Sequence, residues 1–289
     1  MVAIIINEFL KVTVKSSGAE LISLKNTITN LEYLWQGDPA YWARRAPVLF
    51  PIVGRLKDHK LQVDGQSYTL PQHGFARDMI FDLVDHQDDC LTYKLKSSEE
   101  TLKIYPFNFE LTITYRLVKN KLVVTYEVKN TDDKTIYFSI GAHPAFRCPL
   151  VQGEKFEDYY LEFEKPETAE RLLLTEGLFN GQTEPVLNNE NILPLSYDLF
   201  DEKDAVVFKG TRSRTVSIKS KKSKNVINVD YSGFPYLGIW TKKAPFICIE
   251  PWYGLADKVD FNGEFKDKEG VRPLIKGRTF NCEFSIEIK

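Results

Sequence analysis

Proton transfer near neutral pH falls to histidines, and to carboxylates whose surroundings raise their pKa. The chain of 289 residues has four histidines. His59 (in KDHK) and His86 (in VDHQDD) have charged, turn-like neighbours and read as solvated surface residues. The other two sit where the backbone is constrained. His73, in LPQHGFARD, follows Pro71 and precedes Gly74, which predicts a fixed loop. His143, in SIGAHPAFRCP, follows the apolar run IYFSI where Gly141 and Pro144 interrupt regular pairing. Glu250, in FICIEPWYG, ends an apolar strand, where desolvation raises a carboxyl toward a working base. Trp252 and Tyr253 beside it offer flat apolar surface of the kind that stacks on a sugar ring. Arg55, in FPIVGRLKD, is a further polar candidate. Taken singly, each has a plain structural role: a hydrogen-bonded histidine, a turn cap, a core aromatic, a surface ion pair.

The elements that must position these side chains are strands. Leu122, Val124, Tyr126 and Val128 alternate with Val123, Thr125, Glu127 and Lys129, the period of a half-buried strand. Phe109, Leu111, Ile113, Tyr115 and Leu117 form a similar face before it, and Lys119-Asn120 between the two runs predicts a hairpin. Phe280, Cys282, Phe284, Ile286 and Ile288 repeat the pattern at the C-terminal end. Asp64-Gly65, between HKLQV and QSYTL, has the residues a type I′ turn needs. Shorter runs follow at close spacing, and helical periodicity is scarce. The segment 175–200 is so rich in Gly, Pro and Asn that it predicts short turns, with a helical turn near 196–200. The lysine-rich stretch 219–225 predicts a hairpin tip and not a linker. With no repeat, linker or low-complexity tract, residues 1–289 read as one all-β domain: a large antiparallel β-sandwich with few short helices.

Composition narrows the function classes. Lys+Arg is 38 against Asp+Glu 40, a near-balance that argues against a nucleic-acid partner. No apolar run approaches the roughly 20 residues that span a bilayer. The first residues lack the basic leader and cleavage pattern of a signal peptide. Cys90, Cys148, Cys248 and Cys282 are scattered without a C-x-x-C pair, which predicts reduced thiols in a cytoplasmic protein and no zinc.

In chain order, Pro51-Ile52-Val53-Gly54-Arg55, His73-Gly74-Phe75-Ala76-Arg77, Gly141-Ala142-His143-Pro144-Ala145-Phe146 and Cys248-Ile249-Glu250-Pro251-Trp252 form a specific constellation. Together they resemble the aldose 1-epimerase (galactose mutarotase-like) superfamily, in its smaller branch with LacX-type proteins and hexose-phosphate epimerases. The resemblance implies a β-supersandwich whose cleft interconverts the α and β anomers of a hexose or hexose 6-phosphate, without metal or organic cofactor. Glu250 matches the general base at the C1 hydroxyl and His143 the acid that protonates the ring oxygen. His73 matches a second histidine near that oxygen, and Arg55 a sugar-binding arginine. Whether His73 or His143 gives the proton stays open in the sequence itself. Asp204, in FDEKDAVVF, is a carboxylate for a sugar hydroxyl or for holding a histidine charged. The reference values, glutamate near 4.3 and histidine near 6.5, are in the wrong order for these roles near pH 7, so the site must favour the charged histidine or adjust both values. Arg77, Arg44-Arg45 and Arg147 are candidates for a phosphate. The expected partner is thus a small-molecule sugar or sugar phosphate, with no membrane and an oligomeric state the sequence leaves open. The alternative is a carbohydrate-binding β-sandwich without turnover.

Overall fold

The computed structural model describes residues 1–289, of which 52% are strand and 7% helix, so alternation and not helix packing organises the chain. The largest sheet has nine strands, in the spatial order Leu178–Pro194, Tyr159–Thr175, Thr215–Ser220, Val226–Asp230, Thr279–Ile288, Lys121–Asn130, Phe109–Val118, Cys90–Lys96 and Asp82–His86. A second sheet has six: Val206–Lys209, Tyr236–Trp240, Phe246–Tyr253, Ile140–Ala142 and Val48–Leu49 in order, with Ala145–Arg147 also paired to Phe246–Tyr253. Three N-terminal strands, Val2–Ile6, Leu10–Lys15 and Glu20–Asn26, form a small sheet of their own. All pairings between the strands are antiparallel.

The period-two runs form strands for the reason their spacing gives. Leu122, Val124, Tyr126 and Val128 are buried while their alternates are half-buried or exposed. That face packs into one core with Phe109, Leu111, Ile113, Phe284 and Ile286. Both expected tight turns are present. Val63 pairs with Gln66 across Asp64-Gly65, whose φ angles are both positive, and Lys121 pairs with Val118 across Lys119-Asn120. The 219–225 stretch joins Thr215–Ser220 to Val226–Asp230, as a hairpin tip should.

The segment 175–200 is a correction. Leu178–Pro194 is a 17-residue strand paired with Tyr159–Thr175, and only Tyr197–Leu199 forms the expected helical turn. Gly181, Pro185 and Asn189 are tolerated because this strand is the sheet edge, and the pairing shifts register repeatedly along it. Glu176-Gly177, at the tip of this long hairpin, turns with positive φ at both residues.

The strand Phe246–Tyr253 is covered on both faces. Ile247 and Ile249 point into the main core, while Phe246 and Cys248 belong to a cluster with Trp35, Ala145 and Ala244. Trp252 belongs to another with Val53, Phe179, Val207 and Ala256. Successive strand residues alternate faces, so Glu250 lies on the even-numbered face, between these two smaller clusters.

Candidate active site

Two strands bring the acid and base candidates together through register. Gly141 opposes Trp252 and Ala145 opposes Cys248 on the same antiparallel neighbour. Two residues inward from either pair, His143 falls opposite Glu250. Pro144 interrupts regular pairing there, and its carbonyl accepts from Ile249 N at 3.2 Å. The result is His143 Nε2 at 3.3 Å from Glu250 Oε2, with the two residues only 7% and 1% exposed.

His73 arrives from a loop. Phe50 N donates to the His73 carbonyl and His73 N to the Gly54 carbonyl, with His73 itself at φ 65°. The next residue must be glycine: a Cβ on Gly74 would lie 2.2 Å from the Phe50 oxygen. So held, the His73 ring stands nearly perpendicular to that of His143, with centroids 5.6 Å apart. Gly54 N–H donates to His73 Nδ1 at 3.1 Å. Nδ1 is therefore an acceptor, and the neutral ring carries its proton on Nε2. The side-chain amide of Gln72, 3.3 Å away, must turn its oxygen to that N–H.

A cavity of about 360 Å³ opens on these groups. Its wall includes His73, His143, Glu250, Arg77, Asp204 and Trp252 from the sequence reading. Trp42 stacks on His143 at 4.9 Å and Trp240 meets the same ring edge-on at 5.6 Å. Glu250 Oε2, His143 Nδ1, Trp252 Nε1 and Arg77 Nε are buried polar atoms without a hydrogen-bond partner in the protein. Such groups are costly unless a ligand or water satisfies them, so the wall is built for a polar guest.

Two candidates lie elsewhere. Arg55 is not part of the cavity wall; its Nη1 donates to the Glu176 carbonyl at 2.8 Å and ties down the tip of the long hairpin. Tyr253 points to the opposite face from Trp252, as strand alternation requires, and packs on Phe234 and Phe280. Of the arginines suggested for phosphate, Arg77 alone lines the cavity, its Nη2 donating to the Gln72 carbonyl at 2.6 Å. Arg44 bonds Asp78 at 2.8 Å, next to Arg77.

The family-model comparison matches aldose 1-epimerase over residues 1–271. The LacX protein of Lactococcus lactis subsp. lactis (plasmid form) is 38% identical over 98% of this chain and 97% of its own length. The chain belongs to the aldose 1-epimerase family. Among solved structures, a galactose mutarotase related enzyme from Lactobacillus acidophilus superposes with a TM-score of 0.95 at 36% identity, covering 100% of this chain and 97% of the other. A galactose mutarotase-like protein from Lactobacillus casei gives 0.94 at 36%, covering both chains in full. A Salmonella typhimurium protein with the provisional name glucose-6-phosphate 1-epimerase is 27% identical over 65% of this chain and 62% of its own.

In this family member's site, burial sets the proton affinities more than any neighbouring carboxylate does. Burial pushes His143 down to about 3, and the positive charges of Arg77 and Arg44 push the same way. Burial, then His143, Arg77 and Arg44, lower His73 well below the usual histidine range. Burial raises Glu250 well above the usual carboxylate range, with the charge of Asp204 next in importance. Asp204 thus acts on Glu250; its Oδ1 accepts from Trp240 Nε1 at 2.8 Å. Burial thus favours the uncharged form of both His143 and Glu250.

Trp42, Trp240, Gln72, Lys242, Leu174 and Phe179 also line the cavity and were not singled out from the sequence. Trp42 and Trp240 offered only residue type as a signal. Leu174 and Phe179 arrive on the hairpin that composition hid.

Proposed function

We propose that this chain is a mutarotase that interconverts the α and β anomers of a hexose or hexose 6-phosphate. The observation that carries the reading is the cross-strand pair His143–Glu250, buried and facing one cavity. Ring opening takes a proton from the C1 hydroxyl and gives one to the ring oxygen; rotation about C1–C2 and reclosure return both. The reaction therefore needs a base and an acid that between them hold one proton. Glu250 serves the C1 hydroxyl and His143 the ring oxygen once the pair's proton, which burial favours on Glu250 in the empty site, has passed to His143. The His73 Nε2–H, shared with the Gln72 side-chain oxygen, stabilises charge at the ring oxygen. Asp204 and Gln72 are the hydrogen bonders for the remaining hydroxyls, and Trp252, Trp42 and Trp240 supply apolar surface for ring C–H faces. Arg77 and Lys242 on the wall, with Arg44 behind Asp78, are the cations available to a 6-phosphate.

Saturation-transfer NMR on glucose, galactose and their 6-phosphates measures anomer exchange directly. Accelerated exchange is expected for at least one of the four. Glu250→Gln keeps the shape and removes the base, so kcat should fall by ~10²–10⁴ with little change in melting temperature. Near-normal turnover in that variant would remove Glu250 from its role. Sugar binding with no exchange in the unaltered chain would leave only the binding protein.

A further inference from the structure

Cys248 has no part in the chemistry proposed above, yet it lies under it. It is fully buried, two residues before Glu250 on the same strand face, opposite the small side chain of Ala145. Its Sγ, a His143 ring nitrogen and a Glu250 carboxylate oxygen all lie within 4.8 Å of one another. A thiol, an imidazole and a carboxylate meeting at one point are three of the side chains that ligate borderline-soft divalent ions. The spacing of the imidazole and carboxylate fits as well. Two ligands at about 2.0–2.1 Å from a tetrahedral Zn²⁺ are roughly 3.3 Å apart, and His143 Nε2 and Glu250 Oε2 are separated by 3.3 Å. Glu250, 1% exposed, keeps Oε2 without a hydrogen-bond partner. Of the three, His143 and Glu250 line the cavity, so an ion held by them keeps a fourth position open to water or a sugar hydroxyl.

We propose that Cys248, His143 and Glu250 form an inhibitory site for a borderline-soft divalent cation, Zn²⁺ or Co²⁺, which captures the acid–base pair and competes with the sugar. On binding, the Cys248 thiol and the His143–Glu250 pair release their protons to solvent, so affinity rises with pH. Hard cations such as Mg²⁺ and Ca²⁺ gain nothing from the thiolate and do not compete. The inhibitory consequence rests on the mutarotase reading; the binding itself does not.

The test titrates the untagged full chain with Co²⁺ and follows the thiolate-to-metal charge-transfer absorption, in parallel with Zn²⁺ inhibition of anomer exchange. One Co²⁺ per chain with a thiolate band is expected, suppressed by a sugar that the enzyme turns over. Cys248→Ser should abolish the band and raise the half-inhibiting Zn²⁺ concentration by at least the ~10-fold that losing even an outer-shell partner costs, leaving exchange in the absence of metal intact. If burying the serine hydroxyl unfolds the chain, as circular dichroism would report, Cys248→Ala serves instead. Absence of a thiolate band in the unaltered chain overturns the proposal, as does unchanged Zn²⁺ sensitivity in a folded Cys248 variant. An unaltered chain that shows the band but never accelerates exchange keeps the metal site and sinks the mutarotase reading.

Discussion

At the scale of single residues, the site is defined by where one proton resides. On the proposed roles, a His143–Glu250 pair with no proton has no acid and one with two has no base, so only the singly protonated pair should turn over. Its two apparent pKa values belong to the pair and bound a bell-shaped profile. The second proton is hard to add, because burial and two arginines hold His143 down to about 3. The acid limb of kcat should therefore lie near that value and not near an ordinary histidine's. Loss of the last proton is delayed, because burial holds Glu250 above the carboxylate range, so the alkaline limb sits higher than a free glutamate allows. A kcat–pH profile measures both limbs, and an acid limb near 6.5 would mean that His143 titrates as a solvated imidazole. The residue types were legible in the sequence: histidines and a glutamate at constrained strand ends declare themselves. Their order of proton affinity was not, because it depends on Trp42, Trp240 and Arg77 closing over them from remote positions.

At the scale of elements, the meeting of His143 and Glu250 is a consequence of strand register, and Trp252 shows how tightly that register is packed. Its indole lies against two glycines on the strands to either side. A Cβ on Gly141 would come within 2.7 Å of Trp252 Cδ1, and one on Gly238 within 2.6 Å of Cζ2. Gly238 is itself the residue opposite Glu250. Gly238→Ala should therefore push the indole out of place, costing ~1–3 kcal/mol as overpacking does and lowering kcat/KM through a displaced cavity wall. Denaturant unfolding and tryptophan fluorescence check this; an unperturbed variant would show an indole free to shift. The strand Phe246–Tyr253 was readable because apolar residues in series need burial on both faces. The hairpin Tyr159–Thr175 with Leu178–Pro194 was not, because its pairing is an edge affair of bulges that shows in neither period nor composition. Leu174 and Phe179, which ride on it into the cavity wall, were hidden with it.

At the scale of the whole molecule, the cavity is a meeting point of stretches far apart in the chain, and one buried ion pair binds several of them. Lys268 Nζ lies 3.3 Å from Asp257 Oδ1, both side chains 2% exposed, and also donates to the Leu255 carbonyl at 2.6 Å. Around Asp257, Lys57 N donates to its carboxylate, its own N–H donates to the Arg55 carbonyl, and Phe179 N donates to its carbonyl. Gly54, Phe179 and Ala256, one from each of the stretches so joined, line the cavity. Burial lowers the Lys268 pKa while Asp257 raises it, so the ammonium depends on that carboxylate. Asp257→Asn should strand the charge and cost ~3–5 kcal/mol, whereas adding Lys268→Met removes the stranded ammonium and recovers much of that loss. Urea unfolding of both single variants and the double gives the coupling energy. A coupling below ~0.5 kcal/mol, the error of additivity for independent sites, would mean that hydrogen bonds to the backbone alone hold the three stretches together. A large one, with anomer exchange falling in step with Asp257→Asn, would tie the shape of the cavity to a charge pair outside it.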